Sequence, residues 1–135
     1  MKFRLICTLA ALLLGALAQN AFAQQKPEEP DLFEQIETEA DRLQRVLELE
    51  DWQVFYVDST LKHDYPAMQA EVMKLAESKV SNRDMYVMVQ DKWMDKIDST
   101  YKRIFTPEQW AAYLKQGAAK AQKNREKRRL KAEGK

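Results

Sequence analysis

The sequence predicts an all-α fold of about four helices. Apolar residues recur at spacings of three and four along most of the chain, and no segment alternates with period two for long. Beyond residue 23 only Gly117 and Gly134 supply glycine. That leaves no material for a phosphate-cradling loop and excludes a nucleotide-driven mechanism.

The chain opens with Lys2 and Arg4, an uncharged apolar run from Leu5 to Ala18, and Ala21-Phe22-Ala23, the pattern of a cleaved signal peptide over residues 1–23. The run is too short for an ordinary membrane span, and nothing later approaches one. The expected product is an exported, soluble protein without a transmembrane span. Cys7, the only cysteine, lies in the apolar run with no lipobox before it, so neither a lipid anchor nor a disulfide is expected. Residues 24–30, QQKPEEP, read as a polar linker.

A first helix is expected from Asp31 to Leu47, because Leu32, Phe33, Ile36, Ala40, Leu43 and Leu47 fall within about 60° of one line on a helix. Its acidic residues concentrate at the start, where the helix dipole favours them. A second helix carries Trp52, Phe55, Leu61 and Tyr65. Pro66 lacks an N–H and disfavours a helical residue before it, so a kink or short break is expected near Asp64 to Pro66. Helical pattern resumes through Met68, Val72, Leu75 and Val80, and Ser81 to Asp84 supplies a turn and a cap. The third helix is the most regular, with Tyr86, Val89, Trp93, Ile97, Tyr101 and Ile104 in one stripe. A fourth begins at Thr106 with Trp110, Tyr113, Leu114, Ala118 and Ala121, ahead of a basic tail at 122–135.

Two short stretches resemble each other. In FTPEQ, Thr106 can cap the fourth helix, Pro107 suits the first helical position, and Gln109 can reach back to the Thr106 N–H: a capping box. Phe105 can staple onto Trp110. In LEDWQ, 56 positions upstream, Leu49 stands for Phe105, Glu50 for Thr106 and Gln53 for Gln109. Glutamate is a poor N-cap, so Asp51 is expected to cap instead.

These two motifs resemble the LTXXQ motifs of the Spy/CpxP family, over roughly Asp31 to Ala121, the helical domain. The resemblance implies a thin, curved, antiparallel homodimer of interlocked helical hairpins in the periplasm. It further implies an ATP-independent chaperone of unfolded or stressed envelope proteins, or an envelope-stress regulator that partners one sensor protein. Some relatives sense metals. Glu50 for Thr and Phe105 for Leu depart from the pattern.

Charge is unevenly spread: residues 24–58 hold eleven acids and three bases, whereas 115–135 hold nine bases and two acids. An exported protein rarely meets nucleic acid, so the basic end is expected to face the acidic end, a protein partner or an anionic envelope surface. Around Asp84 to Met94 the third helix is apolar nearly all round, and such a helix must be covered. Met85, Val87, Met88 and Met94, with Trp52, Phe55 and Tyr56 after the first motif, are therefore the candidate client or dimer surface. His63, the only histidine, has Ser59, Thr60, Pro66 and Ala67 as helical neighbours, and no metal-ligand spacing occurs. No catalytic residue, cofactor or metal site is expected.

Overall fold

The computed structural model describes residues 30–134; the expected signal peptide and residues 24–29 of the expected linker lie outside them. The described residues form four helices and no strand. These are α1 (Leu32–Leu47), α2 (Asp51–Glu77), α3 (Arg83–Ile104) and an interrupted fourth rod. That rod consists of α4 (Pro107–Tyr113), a π-helical segment (Leu114–Ala118) and α5 (Ala119–Ala132).

In α1 the Asp31 carboxylate accepts the Leu32 N–H at 2.7 Å, and Ile36, Ala40, Leu43 and Leu47 are buried, as their spacing requires. Phe33 sits at the flank of that stripe in the first turn and is 53% exposed. The helix ends as Glu48 turns left-handed (φ 52°), and Leu49 donates its N–H to the Gln44 carbonyl at 3.1 Å.

Two expectations about α2 are corrected. Glu50, not Asp51, is the N-cap: Gln53 compensates for the weak capping residue by accepting the Glu50 N–H through Oε1 at 2.9 Å. The helix, 27 residues in all, also runs unbroken through Pro66, so of the two alternatives the short break is not formed. Proline in a helix interior costs about 3 kcal/mol. Burial of Val57 and Leu61 in the turns before it supplies opposing packing energy. The helix stops at Glu77, short of Val80, in a Schellman motif: Val80 N–H bonds the Leu75 carbonyl and Lys79 N–H bonds that of Ala76, both at 3.0 Å.

Asn82 caps α3, its Oδ1 accepting the Asp84 N–H at 3.0 Å. Contacts at both ends tie α2 to α3. Gln53, near the start of α2, donates to the carbonyl of Ile104 at the end of α3, while Glu71 in the last turns of α2 meets Lys92 Nζ at 2.6 Å.

The core joins α1, the first half of α2, the second half of α3 and α4. Ile36, Leu43, Val57, Leu61 and Ile97 form its aliphatic part. Phe105 stacks on Tyr101 with centroids 5.1 Å apart and meets Tyr113 edge-on at 5.8 Å. Trp110, the expected staple partner, packs on Tyr113 at 5.5 Å and against the core cluster that contains Phe105. Burial stops abruptly: no residue of α2 after Asp64 and none of α3 before Ile97 is buried. Tyr86, Val89 and Trp93 of the expected stripe are only half-buried.

Gly117 explains the interrupted rod. Its φ of 110° is open to glycine and strained for other residues, and it changes the direction of the fourth helix inside the π-helical segment. Beyond it, α5 lies along α3, and the basic tail is helical through Ala132.

Candidate functional site

The two motif copies meet. Gln53 Nε2 donates to Gln109 Oε1 at 2.6 Å, and Gln109 Nε2 donates back to Gln53 Oε1 at 3.1 Å. Each glutamine also caps its own helix: Gln53 Oε1 accepts the Glu50 N–H at 2.9 Å, and Gln109 Oε1 the Thr106 N–H at 3.0 Å. Each then donates its second amide proton to the other corner, Gln53 to the Ile104 carbonyl at 2.9 Å and Gln109 to that of Glu48 at 3.4 Å. Glu48 and Ile104 are themselves 56 positions apart, so the whole arrangement repeats about an approximate two-fold axis. Both amides use two donors and two acceptor sites, their full capacity. Gln53 is only 1% exposed, so this saturation is what makes its burial tolerable. Thr106 completes its box by accepting the Gln109 N–H at 3.2 Å, and Leu49 and Phe105 are buried at equivalent places in the two corners.

A second polar cluster fixes α5 to α3. Asp98, 6% exposed, accepts from Tyr113 Oη at 2.7 Å, from Gln122 Nε2 at 3.0 Å and from the Arg125 guanidinium. Arg125, equally buried, also donates through Nε to Asp95 at 2.6 Å, and Arg128 forks onto Asp91 with two bonds of 2.7 Å. Burial pulls the Arg125 pKa down, but Asp95 and Asp98 outweigh it and hold the guanidinium above its ordinary value. Burial pushes Tyr113 well above the usual phenol range, reinforced by its bond to Asp98; Tyr101 is raised by burial first and then by Tyr113. Sequence reasoning missed this cluster because Asp91, Asp95 and Asp98 look like a solvated face. The available signal was a matching set, Gln122, Arg125 and Arg128 at spacings of three.

The candidate surface residues separate into two groups. Trp52, Phe55 and Tyr56 stand on the first turns of α2, with Tyr56 edge-on to both other rings. Met85 and Met88 stand on the first turns of α3, with Met73 exposed near the end of α2. These six side chains are between 43 and 66% exposed. Trp52 and Met73 are about 30 Å apart along α2. Val87 is half-buried, lining a cleft of about 250 Å³ with Met88, Arg128 and Lys131, while Met94 packs against the core.

His63 Nδ1 lies 2.7 Å from Asp64, a buried carboxylate that Lys96 Nζ approaches at 3.4 Å. Among the described residues, no group of three or more His, Cys, Asp or Glu could hold a metal ion, and no helix is long and apolar enough to cross a membrane.

No family model, no curated protein and no solved structure matches this chain.

Proposed function

We propose that the protein is an ATP-independent, chaperone-like protein of the periplasm that binds unfolded or stressed envelope proteins. The observation that carries this reading is the exposure of Trp52, Phe55, Tyr56, Met73, Met85 and Met88 at well-separated places on rigid helices. Exposed apolar surface of this kind marks interaction sites, and flexible methionines conform to clients of varied shape. Charges such as Lys62, Lys92 and Lys96 stand among these groups and favour long-range encounter over tight holding. The paired corner motifs support the resemblance to the Spy/CpxP family on which the periplasmic assignment rests.

The working form is a homodimer of helical hairpins. Trp52, Phe55, Ser59, Pro66, Ala70 and Met73 fall within about 60° of one outward line on α2, roughly 30 Å long. A second copy laid across that line would cover part of it and leave the α3 methionines for clients.

The purified protein is expected to slow the aggregation of a reduced or heat-stressed client at near-stoichiometric ratio. Met85→Ser with Met88→Ser should remove most of that protection without changing helix content. No suppression by the unaltered protein at several-fold excess would refute the reading. A pull-down yielding one dominant envelope protein would replace it with the regulatory alternative.

A further inference from the structure

The bases of α5 sort into two sides. Arg125 and Arg128 face α3 and are engaged by Asp91, Asp95 and Asp98. Lys120, Lys123 and Lys127 project from the other side, within a sector of about 60° and along roughly 10 Å of helix, and Lys131 stands at the edge of that row, where it also lines the cleft with Val87 and Met88. All four are exposed, and Leu130, 38% exposed, and Asn124 border the row on either side. Arg129 faces a cleft of about 390 Å³ shared with Asp95, Asp98, Glu126 and Trp110. Glu126 is the only acid within α5 and stands at the flank of the lysine row.

We propose that this lysine face docks the protein on an anionic lipid bilayer. The row is straight and convex, so it lacks the concave enclosure that a small anion or cofactor requires. A plane of closely spaced negative headgroups meets all four ammonium groups at once, and Leu130 is placed for shallow contact with the interface. Nucleic acid fits less well because α5 has no aromatic side chain on which a base could stack. The proposal does not depend on the chaperone reading, since Lys120, Lys123 and Lys127 stand away from the exposed aromatic and methionine groups and only Lys131 borders one of them, Met88.

The test is co-sedimentation of the full chain with vesicles. The composition is 30% phosphatidylglycerol in phosphatidylcholine, compared with pure phosphatidylcholine, at 50 and 300 mM NaCl. Each lysine near an anionic surface contributes roughly fivefold in affinity, so the four together should give a several-hundred-fold preference for the anionic vesicles at low salt. That preference should fall steeply at 300 mM, where the Debye length is about 6 Å. The variant K120Q/K123Q/K127Q/K131Q should lose it, whereas K79Q/R83Q/K102Q/K115Q, equal in charge change but elsewhere on the surface, should keep it.

Equal binding to both vesicle types, or equal loss in the two variants, overturns the proposal. So does tighter binding to a DNA duplex or to polyglutamate at the same concentration of charges. The salt and lipid comparisons use the unaltered protein and decide the matter even if the quadruple variant misfolds. Client protection that survives in a variant unable to bind vesicles separates this inference from the chaperone reading.

Discussion

Replacing Gln53 by leucine, similar in size but unable to hydrogen-bond, tests the paired corners directly. The change removes bonds to the Glu50 N–H, the Ile104 carbonyl and, twice, the Gln109 amide. At a net value of about 1 kcal/mol each, four bonds would cost about 4 kcal/mol. Water can re-solvate the exposed helix start at Glu50, which lowers the expected loss to about 3 kcal/mol. For a domain of about a hundred residues this is a fall in Tm of roughly 15 °C. Gln109→Leu should cost less, because Gln109 is less buried than Gln53 and its bond to Glu48 is long, 3.4 Å. The double variant should cost about 1 to 2 kcal/mol less than the sum of the two, since their mutual bonds can be lost only once. Urea unfolding of the four proteins gives the coupling energy. Additivity within about 0.5 kcal/mol would refute the claim that the two motifs act as one clasp.

Arg125→Met leaves Asp98 buried without its charge partner, a situation that typically costs about 3 to 5 kcal/mol. Here α5 is expected to undock before the rest unfolds, so hydrogen exchange should accelerate in Ala119–Ala132 while Val57 and Leu61 stay protected. Unchanged exchange in α5 would show that the cluster holds nothing. Tyr101 and Tyr113 give a prediction at alkaline pH. Both have folded pKa values raised above the unfolded value, so their contribution is complete below about pH 10 and is lost as pH climbs above it. Stability should fall by about 1.4 kcal/mol per pH unit for each tyrosine once the unfolded chain ionises. Tyr65 is raised by burial in the same direction, so Tyr101→Phe should remove about a third of the combined slope in urea titrations, and an unchanged slope would contradict the assignment.

What could be read in advance was mostly local. The stripe of α1 and the Thr106–Gln109 box depend on neighbours within a turn or two, and they stand where periodicity and capping rules place them. Exposure of Met85, Met88 and the α2 aromatics followed from having too little interior for so many apolar side chains. The break at Pro66 does not form because the local penalty is set against burial of Val57 and Leu61, energies that no window around the proline reveals. Glu50 was misread for a related reason: its quality as a cap depends on Gln53, which in turn is held by Gln109 on a distant corner. Asp98 and Arg125 are 27 positions apart, and both the corner at Phe105–Thr106 and the bend at Gly117 lie between them.

The one-ended placement of the core sets a gradient in how readily parts of the molecule open. Around Ile36, Leu43, Leu61 and Ile97 any fluctuation must expose apolar surface, so that end behaves as an anchor. The stretch where α2 after Asp64 lies near α3 before Ile97 has only half-buried apolar side chains, such as Val72, Leu75 and Val89, and an exposed ion pair, Lys92–Glu71, so opening it exposes less apolar surface than opening the core end. Opening is therefore expected to begin at the end away from that anchor, an order that hydrogen exchange reads directly.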